Sequence, residues 1–320
     1  MTRGAPFRRP GLLLGVLTFV LLCGRASAQT PDELAAICSG IGGLPGACAA
    51  TSVASQAVLG GVGLLAGFGS EVSGTASNLG TRVGGGPRLS FSIRAGAVHM
   101  GMPDIEADPS GLTTRTFMAP AVHMGVGVGL FDGFRLMPTV GGFLSTDAFV
   151  QTSFLSLPQG EGFVGGTRSY SVGVRVGVFR EGFTIPGVSV SVARRFSGEV
   201  EYGSDGASMV LDPVVTSLRA TIGKDLYAVE FLAGVGWDEY TGDTDLRVPT
   251  ALGAYVTPSG TMSGSRRLYF GSAAMTLSIV LTVSVEGGWG QGFDPSSAYS
   301  GAFDPTKGAP FGSFSLRLTL

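Results

Sequence analysis

The chain has 320 residues, of which only 14% are charged and 53 are glycine, with a net charge of −2 and a mean hydropathy of +0.36. There is no basic excess of the kind that binds nucleic acid. After residue 28 no clean run of ~18 apolar residues suggests a spanning helix, so the apolar content must be hidden in another way.

Arg3, Arg8 and Arg9 precede an apolar run, Leu12 to Leu22, and then Arg25-Ala26-Ser27-Ala28. This basic, apolar, A-x-A order is that of a secretory signal peptide, cleaved after Ala28. The run falls short of the ~20 residues that a spanning helix needs. A lipoprotein lipidated on Cys23 fits less well, because the preceding Leu22 is bulky. Loss of residues 1–28 removes four arginines and no acid, leaving 17 basic against 23 acidic residues.

Residues 29–87 form a different region. Pro31-Asp32-Glu33-Leu34 carries acids in a first helical turn, and Ala, Ser and Gly dominate from there to Gly84-Gly85-Gly86. One or two weak helices are expected, the better one over Val53 to Phe68. Cys38 and Cys48 are the cysteines that remain after residue 28, and an even pair in an exported chain predicts a local disulfide. The segment is expected to be periplasmic or to plug a barrel.

From Arg88 onward the period becomes two. Apolar residues alternate with Gly, Ser, Thr and a few ions over 89–97, 122–130, 170–178, 188–193, 218–223, 227–237, 279–286 and 313–320. Less regular strands are expected over 135–146 and 266–276. That gives about ten strands, each near the ~9–11 residues of a tilted spanning strand. Short turns are expected at 131–134, where Asp132-Gly133 signals a hairpin, and near 181–187, 223–225 and 277–278. Longer loops are expected at 100–119, 147–167, 199–213, 238–264 and 290–310. The alternation of short turns with long loops is that of bacterial membrane barrels, and an even strand count places both barrel ends in the periplasm. The predicted fold is therefore all-β: an antiparallel transmembrane β-barrel over 88–320, with a small, Gly/Ala-rich, partly helical N-terminal segment. A soluble β-sandwich would need a more polar second face.

The final residues, Phe311-Gly312-Ser313-Phe314-Ser315-Leu316-Arg317-Leu318-Thr319-Leu320, resemble the C-terminal assembly signal of Gram-negative outer-membrane β-barrel proteins. With the signal peptide and the strand pattern, the resemblance covers about residues 1–28 and 88–320. That class usually ends in an aromatic residue, whereas this chain ends in Leu. The resemblance implies an outer-membrane location, contact with its lipid, and delivery to the barrel-assembly machinery through the last strand.

With the apolar face turned to lipid, Arg94, His123, Arg175, Arg195, Arg219, Glu230, Glu286 and Arg317 face the lumen, as do Arg88 and, near a rim, Asp238. Strand order suggests the pairs Arg219–Glu230 and Arg317–Glu286, since Arg suits bidentate pairing. Such ions either neutralise each other in a filled, narrow barrel or leave an arginine excess that favours anions in a pore. The repeated string Ala-Val-His-Met-Gly places His99 and His123 near the outer rim, with His99 toward lipid. Together with Asp104, Glu106, Asp108 and Ser110 they outline a hydrolase or weak cation site, although a structural role for the histidines is the simpler reading. Asp238, Glu239, Asp243 and Asp245 read as a solvated acidic loop without calcium-loop spacing. Tyr170, Tyr202, Tyr227, Trp237, Tyr240, Tyr269 and Trp289 suit interfacial girdles. No catalytic, metal or cofactor residue is expected. The functional expectation is a narrow channel or carrier for small solutes. The alternatives are a structural or adhesive barrel with an ion-paired lumen and, third, a membrane hydrolase using His123.

Overall fold

The computed structural model describes residues 28–81, 86–135, 141–183 and 185–320. The expected signal peptide up to Ser27, with Cys23, and the glycines at 84 and 85 lie outside them. Two helices come first, α1 (Pro31–Gly40) and α2 (Pro45–Gly67). Helix α1 starts on a capping box, in which Thr30 and Glu33 satisfy each other's backbone N–H groups. Cys38 and Cys48 are joined in a disulfide that ties the end of α1 to the start of α2.

The strands that follow are β1 (Leu89–Pro103), β2 (Thr114–Phe131), β3 (Ser145–Leu155), β4 (Thr167–Phe179), β5 (Gly187–Ser197), β6 (Val200–Gly203), β7 (Ser208–Leu226), β8 (Val229–Pro249), β9 (Tyr255–Val256), β10 (Ser259–Thr276), β11 (Leu281–Gly290) and β12 (Ala309–Thr319). The short β6 and β9 pair with β7 and β8. The other ten close into an antiparallel barrel: β7 pairs with β8, and β12 returns to β1 with Phe91 opposite Leu318 and Ala97 opposite Gly312. Closure removes the sheet edges that could not be left unpaired in lipid.

Side chains alternate across this wall. Ile93, Val172 and Val285 point outward and are 54%, 54% and 59% exposed, while Arg94, Arg175 and Glu286 beside them point inward and are buried. Apolar residues outside and ions inside invert the soluble pattern, and together with even strand number and short turns at one end they make this an outer-membrane barrel. The end where three of the four connections are short, around 180–183, 227–228 and 277–280, is the periplasmic one on that architecture, with the longer β2–β3 connection beside them; the other end is the outer one.

Several sequence expectations need correction. The third strand is Ser145–Leu155, not 135–146; of the latter, 136–140, including Pro138, lie outside the described residues. Phe134 and Phe143 bridge between the end of β2 and the start of β3, so Asp132-Gly133 is not a two-residue hairpin. The β7–β8 turn lies at Tyr227–Ala228 rather than 223–225, with Tyr227 in the left-handed region at φ 64°. The turn near 277–278 does form, closed by hydrogen bonds between Ser278 and Leu281.

The expected loops 199–213 and 238–264 are largely strand, because the wall continues beyond the lipid and its pattern changes phase. On upper β8, Tyr240, Leu246 and Val248 point inward and are buried, whereas Glu239, Asp243 and Asp245 point out. The expected acidic loop is thus the water face of a strand. Tyr202 and Tyr240 are fully buried and belong to no girdle, while Tyr170, Trp237, Tyr269 and Trp289 are about half exposed on the outside.

A charge on the lipid face tests the assignment. Val285→Arg should destabilise the bilayer-inserted protein by about 2–4 kcal/mol in urea unfolding, and Asp243→Arg, outside the lipid, by much less.

Candidate functional site: the lumen and the segment that fills it

Residues 28–81 lie at and inside the barrel. At the outer end, Leu44 N–H donates to Pro249 O (2.9 Å) and Gln29 N–H to Thr261 O (2.7 Å). At the periplasmic end, Thr81 N–H donates to Asp132 (2.7 Å). Between these points the chain runs the length of the lumen. The even strand count does put Leu89 and Thr319 at one end, but residues 29–44 are not periplasmic, because the chain crosses the lumen once before β1 begins.

Helix α2 is long and apolar enough by composition to span a membrane, although glycine and polar residues interrupt it. It is wholly buried inside the barrel wall from Ala47 onward. Its small residues are required by the width of the lumen. A Cβ at Gly63 would overlap the Tyr240 ring, and one at Gly67 the Arg195 guanidinium.

After Gly67 the helix stops and residues 68–81 have few hydrogen bonds of their own. Buried backbone groups must nevertheless be paired, and the lumen ions pair them. Arg94 donates to Phe68 O (2.9 Å), Ser70 O (2.6 Å) and Ser73 Oγ (3.0 Å). Arg219 donates to Gly67 O and Gly69 O (both 3.1 Å), and Arg175 to Thr75 O (3.2 Å). In the other direction Glu286 accepts from Ser70 N–H (3.2 Å), Glu230 from Ala76 N–H (3.1 Å) and Asp147 from Leu79 N–H (2.9 Å). Asn78 donates back to the wall, to Ser145 O (2.9 Å) and Arg175 O (3.1 Å).

The same ions pair with each other. Arg219 holds Asp238 with both terminal nitrogens (2.5 and 2.9 Å), and Tyr240 also donates to Asp238 (3.1 Å). Arg175 meets Asp147 at 2.8 Å, Arg195 meets Glu71 of the segment at 2.5 and 2.6 Å, and Arg94 lies 3.7 Å from Glu286.

The expected pairs Arg219–Glu230 and Arg317–Glu286 do not form. The register sets Arg219 opposite Gly236 and Glu230 opposite Asp225, and sets Arg317 opposite Thr282 and Glu286 opposite Ser313. Arg317 is buried, and its Nε and Nη1 have no hydrogen-bond partner among the described residues. Asp238 is deep in the lumen rather than at a rim. Sequence reasoning missed Asp147, because its strand was misplaced, and Glu71, which sits in a Gly/Ser-rich stretch with no period to give it a direction.

His123 faces the lumen but not at the outer rim: it lies mid-strand, opposite Arg94. Its Nδ1 is 2.7 Å from Ser153 Oγ, the Phe68 ring meets it edge-on at 4.9 Å, and its Nε2 has no partner among the described residues. His99 points to the other face, between the buried Val98 and Met100. Asp104 and Glu106 are taken by Arg115 (3.1 and 2.5 Å) and Asp108 bonds Ser110, so none of them joins His123. Among the described residues no group of three or more His, Cys, Asp or Glu could hold a metal.

No protein-family profile matches the chain, and no curated protein sequence does. Among solved structures it is similar to the translocator domain of the autotransporter NalP from Neisseria meningitidis (TM-score 0.40, 11% identity, 74% of this chain and 89% of that one). It is also similar to the outer membrane protease OmpT from Escherichia coli (0.36, 10%, 73% and 96%) and to the transport unit of the autotransporter AIDA-I from Escherichia coli (0.36, 7%, 83% and 98%).

Helix α1 is docked on the outer loop 291–308 by Asp32, which accepts from the Ser296 hydroxyl, from Ser297 N–H (3.0 Å) and Oγ (2.5 Å), and from Ala298 N–H (3.3 Å). Burial pushes its pKa up, but these bonds outweigh that and hold it at about 2. A depressed carboxyl pKa makes this docking fully effective above the ordinary value of ~4 and lost as pH falls through about 2. Protection of the α1 amides, measured as exchange relative to the intrinsic rate at each pH, should therefore fall between pH 4 and pH 2, and Asp32→Asn should lower it already at pH 7.

Removing one partner of a buried pair strands the other charge. Asp238→Ala should cost about 3–5 kcal/mol in urea unfolding, and the double change Arg219→Met/Asp238→Leu should cost less than Asp238→Ala alone.

Proposed function

We propose that this protein is an outer-membrane barrel held shut by its own N-terminal segment, with the outer loops and the disulfide-linked helix pair as its working face. The reading is the structural or adhesive one, with the lumen filled and ion-paired. The observation that carries it is that α2 is wholly buried in the lumen and that residues 68–81 below it are held by Arg94, Arg175, Arg219, Glu230, Glu286 and Asp147. An arginine whose donors are spent on carbonyls and carboxylates offers little to a passing anion. Delivery by the barrel-assembly machinery through β12 belongs to the same reading, since β12 is the strand that closes the wall on β1. His123 and Ser153 lie beneath Phe68, where no substrate reaches them while the segment is in place.

Conductance in a planar bilayer tests the proposal. The mature chain should be electrically silent, and removal of residues 31–81 should produce steady, anion-preferring conductance as Arg195 loses Glu71 and the donors of Arg94 and Arg219 are freed from the carbonyls at 67–70. Steady conductance of the intact chain would reject the filled-lumen reading in favour of a channel for small solutes.

Orientation gives a second test. An epitope placed directly before Gln29 of the mature chain should be labelled by antibody on intact cells, and one inserted at Tyr227 only after the outer membrane is broken.

A further inference from the structure

Above the lipid the wall is open on one side. β10 pairs with β8 from Ser259 to Met275 but with β11 only from Leu268 onward, because β11 ends at Gly290. Gln291 N–H still donates to Arg267 O (2.8 Å) and Gln29 N–H to Thr261 O (2.7 Å). Between these two contacts, Ser263 and Ser265 lie on a strand edge with no second strand beside it among the described residues. A cleft of about 590 Å³ opens there, reaching from Trp237, Arg267 and Gln291 at its mouth to Gln56, Arg266 and Phe293.

Two polar side chains at the inner wall of this cleft are more than nine-tenths buried, Arg266 at 6% and Gln56 at 7% exposure. The Arg266 guanidinium stands 4.4 Å from the centre of the Phe293 ring and 5.8 Å from that of Tyr240. Its one protein hydrogen bond is long, from Nη1 to Gly60 O at 3.4 Å. Its Nε has no partner among the described residues, nor does Oε1 of Gln56. Arg94, Arg175, Arg195 and Arg219 each have a carboxylate within 4 Å, whereas Arg266 forms no ion pair among the described residues. Of the two acids at the cleft, Asp32 is committed to residues 296–298 and Asp294 is exposed. The acid opposite it on β8, Asp238, is held by both terminal nitrogens of Arg219 and forms no ion pair with Arg266; a buried guanidinium with its charge so weakly met is costly, and here it borders a space of the size that small-molecule sites have.

We propose that this cleft binds an anionic sugar, a saccharide unit bearing a carboxylate or a phosphate, with its charge on Arg266, its hydroxyls on Gln56, Gln291 and the free edge of β10, and its ring between Phe293 and Trp237. The cleft is far larger than a single inorganic anion, its walls combine aromatic rings with amides and hydroxyls, and it lies where either a soluble sugar or the headgroup of an outer-leaflet glycolipid can enter. The proposal holds whether or not the lumen conducts.

Calorimetric titration of the refolded mature chain in detergent tests it, with glucuronate, glucose 1-phosphate and neutral glucose as probes. Both anions should bind, and glucose at least tenfold more weakly. Arg266→Gln should weaken both anions at least tenfold and leave glucose unchanged, while Gln56→Leu should weaken all three. Heat-modifiable gel mobility checks that each variant is folded. If Arg266→Gln does not refold, Ser265→Trp fills the cleft from its exposed edge and should abolish binding. Displacement of glucose 1-phosphate by micelles of a glycolipid with a phosphorylated sugar headgroup would assign the ligand to the membrane; lack of displacement would assign it to solution, and both support the site. Equal affinity for glucose and glucuronate, no binding of either anion, or anion binding unchanged in folded Arg266→Gln would overturn it.

Discussion

The structure depends on a backbone that cannot be left unpaired. Residues 68–81 cross the interior of a barrel without helix or sheet, so their N–H and C=O groups need partners, and water is largely displaced by the packing around them. Inward side chains supply those partners. An arginine places several donors in a fixed fork, and this geometry lets Arg94 reach two carbonyls and a hydroxyl at once. A carboxylate does the converse for N–H groups. The ions of the lumen thus act as a substitute for secondary structure, and their mutual pairing keeps the net charge of the interior low. Membrane proteins tolerate irregular backbone at membrane depth where it is buried in protein, and here the barrel supplies that protein.

The fold has two regimes along its axis. In the lower part the wall is apolar outside and polar inside. In the upper part the phase reverses, and Leu246, Val248, Met262, Met209 and Leu211 turn inward onto α1, α2 and their neighbours. The upper part is packed like a water-soluble domain, built on strands that continue unbroken from the membrane. The small-residue helix belongs to both regimes, which explains why it is apolar without being lipid-exposed.

Much of the barrel was legible in the sequence because period-two alternation with a lipid-apolar phase is a direct imprint of the pleat. Strand number, closure through the last strand and the inward direction of Arg94, Arg175, Arg219 and Glu286 all follow from that phase. What was illegible lies where the rule changes. Upper β8 and β10 keep the period but swap the phase, so Glu239, Asp243 and Asp245 resembled a loop. Around Asp147 the alternation is carried by Ala148, Val150 and Phe154 outside and by Ser153 and Leu155 inside, a weaker contrast than the Val/Gly strings elsewhere. Pairing partners need register, which periodicity does not encode; the partner of Arg195 was Glu71, a residue with no periodic context at all.

Two helices clamped by the Cys38–Cys48 bond stand at the outer mouth, while the interior below has space for one helix whose glycines touch the wall. A single helix with side chains is already about 10 Å across, so the clamped pair cannot be drawn back through as a unit. Assembly is therefore ordered. Either residues 29–67 pass while thin and unclamped, and the disulfide forms outside, or the clamped pair is in place before β12 zips onto β1. Once both closures are made, the chain is a threaded ring with a stopper, and its withdrawal requires either a bond to be reduced or a seam of the wall to open.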